Sequence, residues 1–354
     1  MSPVQIYKMD LKDPDLNRIR QLAVDSRAGK WVVFPTETVY GIGAPMTSTG
    51  IHKRLAALKG RAPEKPFSYH LGEWEMVDRL RVVQTPAFRH LSRVFWPGPV
   101  TLIVQDELER SIGLRFPRHR LAAALIQAAG EPFVATSANA SGEPAPKSAE
   151  DVLNGFKPTE NYILIDGGPC EFAQDSTVVD LTSGEGPQIV RNGALAAEVA
   201  AEIEKINAGQ FVRKRILVVC TGNSCRSPMA EGLLLDEFRK KGLADQIHVS
   251  SCGIGTRGGS KATPEAVLVM KNLEIDISAH RSKPCVREDV TQADLILAMA
   301  KEHSDFITNL MPQARSKIRV LSVVDPIGMN MLIYEAVLVD IQKKLKNLWS
   351  EIIA

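Results

Sequence analysis

The sequence predicts an α/β protein built as two domains, and three observations carry that prediction. Its 354 residues exceed what one hydrophobic core ordinarily organises. Apolar runs of strand length recur along the chain and end in glycine, proline and hydroxyl residues, as strands do when they open into ligand-facing loops. One such run, in ILVVCTGNSCRSPMAE (216–231), crosses a few polar or small residues into the amphipathic stretch MAEGLLLDEFRKKG, which reads as strand, tight loop and helix. A composition of 44% apolar and 24% charged residues is that of ordinary globular protein, and a net charge of +2 gives no strong global attraction to nucleic acid. Five cysteines in so long a chain argue for a reducing compartment rather than a disulfide scaffold. The opening MSPVQIYKMDLKDPD carries early charges and no apolar core segment, and no uninterrupted spanning stretch follows, so the expected location is cytoplasmic with no membrane association.

The first signal in chain order is WVVFPTETVYGIG (31–43), an apolar strand ending in proline, two threonines and glycines; taken alone it is also an ordinary turn. LKGRAPEKPFSYH (58–70) then sets Lys59, Arg61 and Lys65 in a proline- and glycine-punctuated stretch. That suits polyphosphate better than a packed helix, although a solvated charge run is the commoner meaning of such clusters. WPGPVT (96–101), SIGLRFP (111–117), VATSANASG (134–142), DSTVVD (175–180) and IVRNG (189–193) follow, with hydroxyl residues and isolated arginines at strand ends. After IVRNGALAAEVAAEIEKI, a strand and then a helix, NAGQFVRKR leads into the next strand. The expected organisation is a first domain over 1–206, a linker over 207–213 and a second domain over 214–354. The basic RKR at 213–215 reads as a solvated strand entry.

In the second domain, a helix that begins at a strand end turns unpaired backbone N–H groups into the loop, where they can surround an anion. Pro228 suits the first turn, which needs no N–H from it. Cys220 sits at the mouth of that loop near Arg226, and cationic neighbours and helix N-termini both favour the thiolate form of a cysteine. Arg226 can grip two phosphoryl oxygens with its planar fork, and Ser227 can hydrogen-bond the sulfur. A lone strand-end cysteine is more often just a small hydrophobe. Zinc would need a second ligand pair beside Cys220 and Cys225, and a Walker loop would need Gly-Lys-Ser/Thr; neither is present. Asp325, before Pro326 at a strand end, can protonate a leaving group, although a lone Asp-Pro is usually a turn.

Residues 214–354 resemble the low-molecular-weight protein tyrosine phosphatase family through CTGNSCRSPMAE, SSCGIGT (250–256), ISAHRS (277–282), ADLILAMAKEH (293–303) and VVDPIG (323–328), in the family's order. The resemblance implies a doubly wound parallel sheet and a cysteine-dependent phosphatase needing no cofactor. Cys220 would form the phosphocysteine, Arg226 and the loop amides would hold the phosphoryl group, Asn223 would shape the loop, and Asp325 would be the general acid. In tyrosine-specific relatives the place of Ser224 is typically a bulky aliphatic residue and the Asp-Pro loop supplies an aromatic. Here Ser224, Ile327 and Gly328 stand instead, a pattern similar to the arginine-phosphatase branch, in which threonine usually occupies the Ser224 position. A phosphorylated protein is the implied partner, and phosphoarginine the implied preference over phosphotyrosine.

Residues 8–205 resemble the YrdC-like threonylcarbamoyl-adenylate synthase family in the order of the segments above. That implies a twisted mixed sheet with helices, and condensation of L-threonine, bicarbonate and ATP into threonylcarbamoyl-AMP with release of pyrophosphate, on the way to a modified adenosine in tRNA. By motif position Thr36, His70, Arg115 and Ser176 would contact threonine or its carbamate. Lys59, Arg61, Lys65, Ser111, Ser137, Asn139 and Arg191 would contact ATP, with Mg²⁺ accompanying the nucleotide through its phosphates and no dedicated carboxylate cage for a metal. PAPKS (144–148) lacks the hydroxyl that often precedes this proline, and FSYH (67–70) replaces a more aliphatic stretch. tRNA or tRNA-modification proteins are implied partners. The alternative is a first domain that holds nucleotide or RNA without turnover.

Overall fold

The computed structural model describes residues 4–60, 67–156 and 162–353. The chain divides into two compact units, Met1–Ala208 and Gly209–Ala354.

In the first unit the described strands are β1 (Gln5–Lys8), β2 (Trp31–Phe34), β3 (Gly41–Pro45), β4 (Ser68–His70), β5 (Val100–Gln105), β6 (Ser111–Arg115), β7 (Phe133–Ser137), β8 (Tyr162–Asp166), β9 (Thr177–Asp180) and β10 (Gln188–Arg191). They form one sheet in the order β1-β8-β2-β3-β7-β4-β6-β5-β9-β10. β2 runs parallel to β8 and β4 to β6, while β3 runs antiparallel to β2 and β7 and β5 to β6. The sheet is mixed, as expected. Because side chains alternate along a strand, β2 feeds two apolar clusters: Val32 and Phe34 join one with Phe88, Leu125 and Phe133, while Trp31 and Val33 join another with Tyr40, Leu55 and Val134. The helix Pro86–Phe95 shows the local logic. Thr85 caps it by accepting the Phe88 N–H at 3.2 Å, Pro86 occupies its first turn, and Phe88, Leu91, Ser92 and Phe95 form its buried stripe.

The second unit holds β11 (Lys214–Cys220), β12 (Ile247–Gly253), β13 (Leu295–Ala298) and β14 (Ile318–Val320) in the order β12-β11-β13-β14, all parallel. β11 lies inside the sheet, and Ile216 through Cys220 are all buried, the continuous apolar run that a strand covered on both faces requires. Ile216, Val218 and Cys220 enter one core while Leu217 and Val219 enter another, so the sheet is doubly wound. Among the described residues no helix is long and apolar enough to cross a membrane.

Candidate active site in each unit

Strand register builds the first site. Ser68 pairs with both Ala135 and Gly113, His70 with Arg115, and Arg115 with Thr101, while Gly41 pairs with Ser137. These residues therefore share one face of neighbouring strands and line a cleft of about 210 Å³, together with Thr36, Asp175, Ser176 and Arg191. Small residues at 41, 113 and 135 keep its floor low.

Arg115 is the cleft's buried cation. Its Nη2 donates to Glu37 Oε1 at 3.1 Å and to Thr38 Oγ1 at 2.5 Å, and Thr36 Oγ1 lies at 3.5 Å. The β2–β3 loop that carries these acceptors is tied by Thr36, whose hydroxyl donates to Val39 O at 2.6 Å. Arg115 Nε is buried with no hydrogen-bond partner, and so are Glu37 Oε2 and His70 Nδ1. Burial, then the adjoining Arg115 charge, lowers His70 to about 3, so its ring is neutral near pH 7. Ser176 Oγ meets Thr101 Oγ1 at 2.8 Å and accepts from Arg191 Nη2 at 2.8 Å. Arg191 is exposed at the end of β10 and reaches Ser176 from there.

Thr36, His70, Arg115, Ser137, Ser176 and Arg191 thus meet in one cleft. Ser111 shares the face of Gly113 and Arg115 but lies at the far, exposed end of β6 and does not line the cleft. Lys59 is buried, and its ammonium donates to Ser137 O and Asn139 Oδ1, each at 2.8 Å, and to Asn139 O at 2.5 Å. In this conformation it organises the 137–139 turn. Arg61 and Lys65 lie outside the described residues. Sequence reading missed Ser68, Thr101, Gly113 and Asp175, each too ordinary in its local string to stand out before the strands are paired.

Gly193 fixes the Ser176 end of the cleft. A Cβ there would fall 2.2 Å from Asp175 O and 2.5 Å from Ser176 C, both backbone atoms that cannot swing aside. Gly193→Ala is expected to cost about 1–3 kcal/mol in urea unfolding of the first unit. Unchanged stability would refute this reading of the strand end.

In the second unit the loop after β11 closes on Cys220. Asn223 is fully buried with φ 54°, a left-handed conformation that Asn tolerates better than most residues, and its N–H points to Cys220 Sγ at 3.2 Å. Asn223 Nδ2 donates to Ser227 Oγ at 2.9 Å and to Ser251 Oγ at 2.8 Å, while its Oδ1 accepts from Lys283 N at 2.9 Å. With Ser227 Oγ already accepting, its own proton is available for Cys220 Sγ, 2.9 Å away. Two donors therefore converge on the sulfur. Arg226 heads the helix Arg226–Lys240, donates to Val323 O at 3.2 Å and to Thr221 Oγ1 at 3.2 Å, and pairs with the carboxylate of Asp325. Cys220, Asn223, Arg226, Ser227 and Asp325 are brought together across more than a hundred positions of sequence.

Ser224 is half-buried on the loop, its carbonyl accepting from Thr263 N at 2.9 Å. Behind it Tyr334 hydroxyl lies 3.4 Å from Cys225 Sγ, and burial, then that contact, pushes Tyr334 up to about 12. Tyr334 supports the loop from below.

Residues 26–193 match the family described as telomere recombination, and residues 215–354 match the family described as low molecular weight phosphotyrosine protein phosphatase. The chain is 30% identical over 331 residues to the threonylcarbamoyl-AMP synthase of Pyrococcus abyssi, covering 86% of this chain and 96% of that protein. The crystal structure of P. abyssi Sua5 complexed with L-threonine superposes with a TM-score of 0.52 at 22% identity, covering 97% of each chain. The arginine phosphatase YwlE from Geobacillus stearothermophilus is 33% identical, covering 39% of this chain and 92% of that one at a TM-score of 0.36. The chain belongs to the threonylcarbamoyl-AMP synthase family, and it carries a second unit that resembles the low-molecular-weight protein phosphatases.

Proposed function

We propose that the chain holds two enzymes: one domain over 1–206 that condenses L-threonine, bicarbonate and ATP into threonylcarbamoyl-AMP and pyrophosphate, and one over 214–354 that dephosphorylates protein phosphoarginine or phosphotyrosine, joined by 207–213. The observation that carries the first reading is Arg115, buried beside Thr36 and His70 with Nε unpartnered. A guanidinium with a donor left over in a cleft suits a carboxylate, a group every amino acid presents. Ser176 and His70 would flank threonine or its carbamate. Arg191, Ser137 and the turn held by Lys59 and Asn139 would face the nucleotide, with Arg61, Lys65 and Ser111 further along it. Charge stabilisation and positioning are most of what such a transfer asks of a protein. Mg²⁺ would ride on the ATP phosphates, held largely by phosphate and water oxygens. The product would pass to the machinery that modifies adenosine in tRNA. The test is pyrophosphate release by the full chain: it should require threonine and bicarbonate together, and ATP binding without release would leave a nucleotide-binding module.

In the second unit Cys220 would attack phosphorus, forming the S–P bond as the bond to the leaving group breaks, and Asp325 would give that group its proton. Arg226 and the loop amides would hold the three phosphoryl oxygens until water releases phosphate from the cysteine. Ser224 supports phosphoarginine as the preferred substrate, because a hydroxyl can accept from a phosphoguanidinium where an aliphatic side chain cannot. Ser224→Ile is expected to shift the ratio of kcat/KM for phosphoarginine over phosphotyrosine at least about tenfold toward phosphotyrosine. An unchanged ratio would return the domain to a generic tyrosine phosphatase.

A further inference from the structure

The phosphate loop leans on a histidine that lies outside it. His303, fully buried, sits in the first turn of the helix Lys301–Leu310, and its Nδ1 accepts the Ala300 N–H at 2.9 Å. That contact satisfies one of the donors a helix start leaves unpaired. A ring nitrogen that accepts carries no proton, so the hydrogen of the neutral ring is on Nε2. Burial, and next the charge of Arg226, lowers the pKa of His303, in keeping with that neutral form. Nε2 lies 2.9 Å from Thr221 Oγ1 and therefore donates to it. Thr221 Oγ1 receives a second donor, Arg226 Nη2, at 3.2 Å. A hydroxyl has two lone pairs and one hydrogen, and here both lone pairs are taken. Its hydrogen is left to point away from both donors, on a residue that is exposed beside Cys220.

We infer that His303 is a positioning residue of the phosphatase unit: it fixes the rotation of the Thr221 hydroxyl, so that Thr221 steadies Arg226 and offers its own proton to a phosphoryl oxygen held over Cys220. The inference rests on the phosphatase reading and adds to it a side-chain donor beside the loop amides, set by a residue 82 positions away. Without His303 the hydroxyl turns freely, and both Arg226 and the donated proton lose their fixed direction.

The test compares the full-length wild type with His303→Phe, Thr221→Val, Thr221→Ser and the double variant His303→Phe/Thr221→Val. It reads kcat and KM with p-nitrophenyl phosphate, Ki for inorganic phosphate, and thermal unfolding in parallel. Each of His303→Phe and Thr221→Val is expected to raise KM and Ki about tenfold with a smaller change in kcat, and the double variant about tenfold rather than about a hundredfold, because the two act through one hydrogen bond. Thr221→Ser, which keeps the hydroxyl, should recover most of the Ki lost in Thr221→Val. A folded His303→Phe protein with lower stability but unaltered Ki, or single effects that multiply in the double variant, would overturn the inference. If His303→Phe does not fold, Thr221→Val carries the test alone, since this exposed residue must still raise Ki. Wild-type protein no more active than Cys220→Ser would overturn the phosphatase reading itself. An active wild type with unaltered variants would overturn only the role of His303.

Discussion

Replacing Cys220 with serine is expected to cut phosphatase turnover at least about a thousandfold, while threonine-dependent pyrophosphate release continues at the wild-type rate. The substitution preserves shape: a serine oxygen can still receive the Asn223 N–H and the Ser227 hydroxyl that now point at sulfur. It removes reactivity, because a neutral hydroxyl with no adjacent base is a poor nucleophile toward phosphorus. The first unit should not register the change, since its cleft and its apolar clusters are built entirely from its own residues. Both rates are measured on one preparation, with p-nitrophenyl phosphate and with a coupled pyrophosphate assay. Loss of both in a folded protein would rule out independent sites.

Arg115→Leu is expected to do the complementary damage and to destabilise its unit as well. The Arg115–Glu37 pair is almost wholly buried, and Glu37 already has one oxygen without a partner. Removing the guanidinium strands a buried carboxylate, a change that costs about 3–5 kcal/mol in comparable pairs. Arg115→Leu combined with Glu37→Gln should recover much of that stability, because no net charge is then left unpaired, but pyrophosphate release should stay lost in both. Arg115→Lys separates charge from shape. It keeps the cation but not the planar fork, and should raise KM for threonine roughly tenfold to a hundredfold, the worth of one charge-assisted hydrogen bond. Urea unfolding and the threonine dependence of pyrophosphate release check these outcomes. An Arg115→Lys protein with unchanged KM would remove Arg115 from the threonine site.

How much of this was legible beforehand depends on how local each feature is. The phosphate loop is contiguous, so its chemistry shows in twelve letters from Cys220 to Glu231, and the parallel sheet behind it follows from buried, unalternating runs such as ILVV. The first unit hides more. β4 is three residues long and slots between β7 and β6, an order no periodicity announces, and only that order brings Ser68 and Gly113 into the same cleft. Lys59 reads in sequence as one of a basic cluster, whereas in the structure it is buried and its ammonium donates to Ser137 O and Asn139 Oδ1, contacts 78 and 80 positions away that no local string announces. His303 lay inside a motif string, but its partner is a threonine in another motif, and pairing across strands is invisible until the sheet is assembled.

The contact between Arg226 and Asp325 has a consequence for timing. On the proposed reaction, the guanidinium that would cradle the phosphoryl group is paired with the carboxylate that would serve the leaving group. One guanidinium edge cannot serve both partners at full strength. A dianionic phosphoryl group, carrying more charge and more acceptors than a carboxylate, would be the stronger claimant, and its arrival would free Asp325 to take up a proton and face the leaving group. Occupancy of the loop would thereby become the event that frees the acid, and the same exchange would make free phosphate a competitor that holds Asp325 released with nothing to protonate.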